Sequence, residues 1–103
     1  MELKDTLKRG DVLVRQYGYS MVLYEFYQVY AIKGNKVELY PLKIKSSGWI
    51  GFMECEVEPI MPKGYLMKNL ISKRFNKWGG IAIDKNSLYL YDKNRKYIEN
   101  HAD

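Results

Sequence analysis

Hydrophobic and polar residues alternate along most of this chain with a period of two, the spacing of a strand whose successive side chains face opposite ways. In Asp11–Gln16, Val12 and Val14 fall on one face and Leu13 and Arg15 on the other, which predicts a short strand. Val22 to Lys33 is rich in β-branched and aromatic residues. There Tyr24, Phe26, Gln28, Tyr30 and Ile32 share one face, and Glu25, Tyr27, Val29, Ala31 and Lys33 the other. Gly34-Asn35 predicts a two-residue hairpin into a strand over Lys36–Ile44, because Gly at the first loop position supplies the positive φ of a type II′ turn. Ser46-Ser47-Gly48 predicts a second reversal, before a strand over Trp49–Glu58. In that strand Met53, Cys55 and Val57 alternate with Glu54, Glu56 and Glu58. A one-residue slip would bury three carboxylates, so the inward face is well determined.

Pro59, Pro62 and Gly64 are expected to break the sheet. Within Tyr65–Trp78, Met67, Leu70, Ile71, Phe75 and Trp78 recur at helical spacing, yet Ser72–Trp78 also alternates as a strand. The reading adopted is a strand over 72–78 preceded by irregular structure. Gly79-Gly80 is a bend, and Ile81–Ile83 and Leu88–Tyr91 form a hairpin across Asp84-Lys85-Asn86. The same Asp-Lys-Asn triplet at 92–94 turns the chain into Lys96–Glu99. Helical signal is confined to Glu2–Arg9, where Leu3 and Leu7, and Asp5 and Arg9, lie four apart and Gly10 is a natural stop. Five to seven short strands with at most one short helix predict a mainly β fold. Its nearest architectures are a small antiparallel barrel or curved sheet of the SH3-like or OB-like kind.

At 103 residues the chain fits a single domain spanning 1–103. No apolar run of 18 residues and no charged start before an apolar stretch appears, so a soluble cytoplasmic protein without a membrane partner is expected. Ten Tyr, three Phe and two Trp suit half-buried strands or an aromatic recognition surface, because such rings pack while their polar atoms stay wet. The formal charge of +5 is unevenly placed. Residues 1–32 and 33–58 each sum to zero, and 59–103 carry nine basic against four acidic side chains. Lys63, Lys68, Lys73, Arg74 and Lys77 occur there with no acid among them before Asp84. A segment of this kind favours nucleic acid or an acidic protein surface.

Gly10-Asp11-Val12-Leu13 is followed by Gly18-Tyr19 and by Phe26-Tyr27-Gln28-Val29; Val57-Glu58-Pro59, Lys73-Arg74-Phe75, Leu90-Tyr91-Asp92 and Lys96-Tyr97 come later. This order of motifs resembles a family of small proteins encoded by bacteriophages and related mobile elements, whose setting is the cytoplasm of a bacterial host. The resemblance spans roughly residues 10–97. In place of the family's polar Gln-Thr-Asn stretch this chain has Ser20-Met21-Val22-Leu23. Its late turn reads Tyr91-Asp92-Lys93-Asn94 rather than Trp-Asp-Gly-Lys. The resemblance implies a mobile-element context and no particular chemistry.

Catalysis finds little support in the sequence. Cys55 alternates with apolar neighbours and reads as a buried core thiol, and His101, the third residue from the end, reads as a solvated tail residue. One Cys with one His excludes a structural zinc site and an internal disulfide. Glu54, Glu56 and Glu58 read as the wet face of a strand, and Arg9-Gly10-Asp11 as the start of the first strand. No phosphate loop or zinc-protease motif is present. The expectation is therefore a protein that is not an enzyme and uses no cofactor or metal. What remains is aromatic residues interleaved with basic ones: Lys73, Arg74, Phe75, Lys77 and Trp78, then Tyr91, Lys93, Arg95, Lys96 and Tyr97. Lysine and arginine neutralise phosphates while an exposed ring stacks on a base. Lys73, Arg74, Lys77, Trp78, Tyr91, Arg95 and Lys96 are the candidate nucleic-acid contacts, with Tyr17, Tyr19 and Tyr27 as an alternative platform. The competing expectation is a protein-interaction module that inhibits a host protein such as a defence nuclease, in the manner of anti-CRISPR or anti-restriction proteins. Oligomeric state is not legible in the sequence.

Overall fold

Leu3 and Leu7 stand one turn apart, and the chain opens with a four-residue helix, α1 (Leu3–Thr6), whose first carbonyl accepts from the Leu7 amide at 2.9 Å. Gly10, at φ 93°, ends this segment and leads into the sheet. The structure is a computed structural model that describes residues 3–18, 21–51, 53–62, 64 and 67–101. Glu2, Tyr19, Ser20, Lys63 and Tyr65, which enter the sequence reading, lie outside them. No helix among the described residues is long and apolar enough to cross a membrane.

The strands are β1 (Val12–Tyr17), β2 (Leu23–Lys33), β3 (Lys36–Gly51), β4 (Glu54–Ile60), β5 (Ile71–Arg74), β6 (Ala82–Ile83), β7 (Asn86–Ser87), β8 (Tyr89–Leu90) and β9 (Tyr97–Asn100). They build a mainly β fold, with one antiparallel sheet in the order β8-β1-β2-β3-β4-β9 and a separate β6-β7 hairpin. β4 and β5 lie end to end along one edge of β3: β5 pairs with Lys36–Leu39, and β4 with Lys43–Gly51. The sheet curls into a half-barrel because β9, paired to β4, also meets the start of β2. There Val22 and Asn100 exchange two backbone hydrogen bonds of 2.9 and 2.8 Å. Closure of this kind protects edges that tyrosine-rich strands would otherwise expose.

Strand alternation sorts the apolar residues into two clusters on opposite faces. Leu13, Tyr27, Val29, Val37 and Leu39 join Leu7, Phe75, Ile81, Ile83 and Leu88 in one. Val14, Tyr24, Phe26, Tyr40 and Leu42 join Cys55, Val57 and Tyr97 in the other. Both faces of β1 and β2 are therefore covered over most of their length, which is why neither strand shows a simple wet side. The second cluster is held by rings. Tyr97, 1% exposed, meets Tyr24 and Phe26 edge-on at 5.3 and 5.7 Å and stacks on Tyr91 at 5.3 Å.

Several sequence expectations hold. Gly34 has φ 61° and Lys33 pairs with Lys36, as the two-residue hairpin requires. Cys55 and Val57 are buried between less buried glutamates. Others are corrected. Ser46-Ser47-Gly48 is not a reversal: β3 runs through it with an irregular register, Gly48 taking φ 97°, and the chain turns instead around Met53 at φ 59°. Met53 is consequently exposed rather than inward. Pro59 does not break the sheet, since it pairs with Ile44 beyond the last β4 residue that β9 covers, where no amide is needed. The strand expected over 72–78 is Ile71–Arg74; Phe75 then enters the first core cluster, and a turn follows.

Candidate nucleic-acid interface

The two-residue turn at Gly34-Asn35 fixes Lys33 directly opposite Lys36, and the β3–β5 register sets Arg74 opposite Lys36 on the other side. Three cations therefore stand in a row across β2, β3 and β5, on one face of the sheet. Like charges directly opposite each other destabilise a strand pair. One acid relieves them: Glu38 accepts from Lys33 at 3.2 Å. Lys36 and Arg74 are exposed, and neither forms an ion pair among the described residues.

The surroundings of this row are well tied. Asn35 accepts from the Phe75 amide through its carbonyl at 3.0 Å and from Lys4 Nζ through its side chain at 3.2 Å. The Lys4 amide donates to the Gly79 carbonyl at 2.8 Å, so α1 joins the hairpin tip to the turn after β5. Asn76 organises that turn, its Oδ1 accepting from the amides of Trp78 and Gly80 at 3.0 and 2.9 Å. Trp78 is left 68% exposed on a braced loop, with the Lys77 ammonium 4.5 Å from its ring centroid. An exposed indole beside unneutralised cations can stack on a base while the cations meet phosphates.

The sequence-derived candidates divide on this geometry. Arg74, Lys77 and Trp78 gather at this end of the molecule with Lys4 and Lys36. Lys73 pairs with Val37, one position out of phase with Arg74, and so points to the opposite face. Tyr91 is half-buried against the second core cluster, stacked on Tyr97 and edge-on to Phe26 at 5.6 Å. Arg95 lies over Tyr97 and Tyr89, with its guanidinium 4.9 and 5.9 Å from their rings. Lys96 is exposed beside them. The 91–97 turn is thus braced by its own aromatics, with the Tyr97 hydroxyl accepting from the Asp92 amide at 2.9 Å. In the alternative platform, Tyr27 is buried and Tyr17 lies under the Arg15 guanidinium at 4.7 Å. Lys33 and Lys36 belong to a segment whose charges sum to zero, so segment charge does not single them out. The hairpin turn alone would have placed them opposite each other.

A second cluster corrects the reading of His101 as a solvated tail. Its amide donates to the Met53 carbonyl at 2.7 Å, and Nε2 lies 3.1 Å from Glu99 Oε1 and 3.9 Å from Cys55 Sγ. Sulfur and carboxylate approach the same ring nitrogen, whereas a nucleophilic triad uses the two nitrogens for different partners. This is not the arrangement of a cysteine hydrolase.

A third feature is a groove of about 610 Å³ along β3, where Tyr40, Pro41 and Leu42 have β2 on one side and neither β4 nor β5 on the other. Ile60, Met61 and Pro62 form its opposite wall.

No family model, curated protein or solved structure matches this chain.

Proposed function

We propose that this chain is a non-enzymatic binding module of a phage or related mobile element, and that it contacts the nucleic-acid backbone through Lys36, Arg74 and Lys77, with Trp78 stacking on a base. The observation that carries the reading is the row Lys33–Lys36–Arg74, a like-charge alignment that costs stability and leaves two cations without an ion pair among the described residues. An anionic ligand would relieve that repulsion and release counterions as it does so. The mobile-element context rests on the motif resemblance.

Fluorescence anisotropy with labelled single- and double-stranded oligonucleotides, repeated over a series of salt concentrations, tests this reading. Three phosphate contacts give a slope of log K against log salt of about −2 for single strands and about −3 for duplex. Absence of binding at about 50 mM salt, where such contacts are strong, would end the reading.

A protein-interaction module is favoured instead by the groove on β3, with Ile60 and Met61 exposed at its wall. In that reading the partner is a host protein such as a defence nuclease, and its recovery from host lysate withstands nuclease treatment.

A further inference from the structure

Cys55 and Glu99 face each other across the β4–β9 pair, and His101 follows Glu99 by two residues on the same strand face. Trp49 pairs with Cys55 from the other side, and its ring meets the His101 ring edge-on at 5.5 Å. One soft and two harder donors thus converge from β4 and the end of β9 beneath an indole. The geometry points to a divalent transition-metal site of the zinc class, with Cys55 Sγ, His101 Nε2 and a Glu99 carboxylate oxygen as the three protein ligands.

The three donor atoms lie within 4.8 Å of one another. A tetrahedral zinc ion with ordinary bond lengths separates its sulfur and nitrogen ligands by about 3.6 Å and its nitrogen and oxygen ligands by about 3.3 Å. The two separations from His101 Nε2, 3.9 and 3.1 Å, are within a few tenths of an ångström of these values, and the sulfur and carboxylate oxygen, within 4.8 Å of each other, close on the ion by about 1 Å at most. Glu99 is already oriented: its Oε2 accepts from the Tyr24 amide at 3.0 Å, leaving Oε1 turned to the imidazole. A backbone hydrogen bond to a ligating carboxylate is the outer-shell support such sites ordinarily have. The backbone of His101 is anchored in turn by the Met53 carbonyl.

Charge and access agree with the same assignment. Glu99 is 9% exposed and Cys55 6%, so a carboxylate and a thiol share a nearly dry pocket at the rim of the second core cluster. On binding, Cys55 gives up its proton to solvent, and thiolate plus carboxylate balance the two charges of the cation while the imidazole binds neutral. The half-exposed side of His101 is the way in, and a water completes the fourth position. Thiolate with imidazole and carboxylate selects zinc-like ions over calcium or magnesium. One Cys and one His cannot hold zinc unaided, and the ligand that changes the count is Glu99, which strand pairing supplies.

The test is titration of the reduced, tag-free, chelator-treated full chain with Co(II), read by absorbance. The expected result is a thiolate-to-cobalt charge-transfer band in the near ultraviolet that saturates at one equivalent and is removed by added Zn(II). Cys55 is the only thiol in the chain, so the band has one possible source. His101→Ala lies beyond the last strand and keeps the backbone bond to Met53, so the variant should still fold, and it should weaken Co(II) binding by more than about tenfold, the loss that even outer-shell changes cause at zinc sites. Glu99→Gln should weaken it similarly. The site is refuted if the folded wild-type chain gives no charge-transfer band. A band that is equally strong in His101→Ala and Glu99→Gln refutes it too.

Discussion

Arg15 shows how much of this fold depends on single polar side chains. Its side chain is 11% exposed and ion-paired to Glu25, and its Nε donates to Asn86 Oδ1 at 3.2 Å across the two sheets. Arg15→Ala should lower stability by about 1–2 kcal/mol in urea denaturation, a figure already reduced for the partial exposure of Glu25. Lys45→Ala, which removes an ion pair exposed on both sides, should change stability by less than about 0.5 kcal/mol. Tyr27 carries a pH signature. Burial first, then the charge of Glu25 and the hydrogen bond donated to it, push its hydroxyl from 10.0 up to about 12. The folded chain therefore holds this proton at pH values where the unfolded chain releases it. The resulting stability is complete below about pH 10 and is lost as pH rises through about 12. Alkaline denaturation followed by circular dichroism should be less steep in Tyr27→Phe over that window.

Among the elements, local turn chemistry decided which predictions succeeded. Gly34-Asn35 is legible because one glycine at positive φ and a two-residue loop specify both turn and register. Ser46-Ser47-Gly48 has the same composition as a turn, yet Gly48 spends its positive φ on an irregularity inside β3. Composition cannot separate those two uses of glycine, since the deciding contact is with β4. The hairpin expected across Asp84-Lys85-Asn86 forms with a shorter turn and a different returning strand: Asn86–Ser87 pairs with Ala82–Ile83, Tyr89–Leu90 pairs with β1, and the two turn residues Asp84 and Lys85 both take positive φ, 48° and 70°. That pair is a two-residue mirror-image turn between β6 and β7 without the glycine it favours. Lys85→Gly should raise stability by about 0.5–1 kcal/mol, relief of the left-handed side chain outweighing the added chain entropy. A shift of the urea midpoint with unchanged slope is the outcome that supports this; a lowered midpoint argues against it.

At the scale of the whole molecule, residues distant in sequence make both candidate sites. The surplus charge lies in residues 59–103, but the basic row needs Lys36 from a segment that sums to zero, brought beside Arg74 by the β3–β5 pairing. Nothing near His101 in sequence indicates that β9 pairs with Cys55, so its place beside the thiol is set by strand pairing alone. Period-two alternation says which residues share a face, and it was right for Cys55 and Val57. It does not say which strands become neighbours, and neighbour choice created both clusters. The same pairing divides the aromatic residues. Tyr24, Phe26, Tyr91 and Tyr97 are committed to the core beneath the curl, whereas Trp78 and Trp49 stand outside it at 68% and 63% exposure.

In the proposed function the Lys33–Lys36–Arg74 row is kept for an anionic ligand at a cost to the free protein. Lys36→Glu examines both halves of it, because the new carboxylate faces two cations. Opposite charges across strands contribute about 0.2–1 kcal/mol, so the variant should melt no lower than wild type. The decisive measurement is its oligonucleotide affinity at low salt beside that of the unaltered chain. A loss of at least about tenfold in this undiminished fold is the predicted result. Affinity equal to wild type, or a loss no larger than that of Arg95→Glu with Lys96→Glu at the other basic turn, would contradict the account.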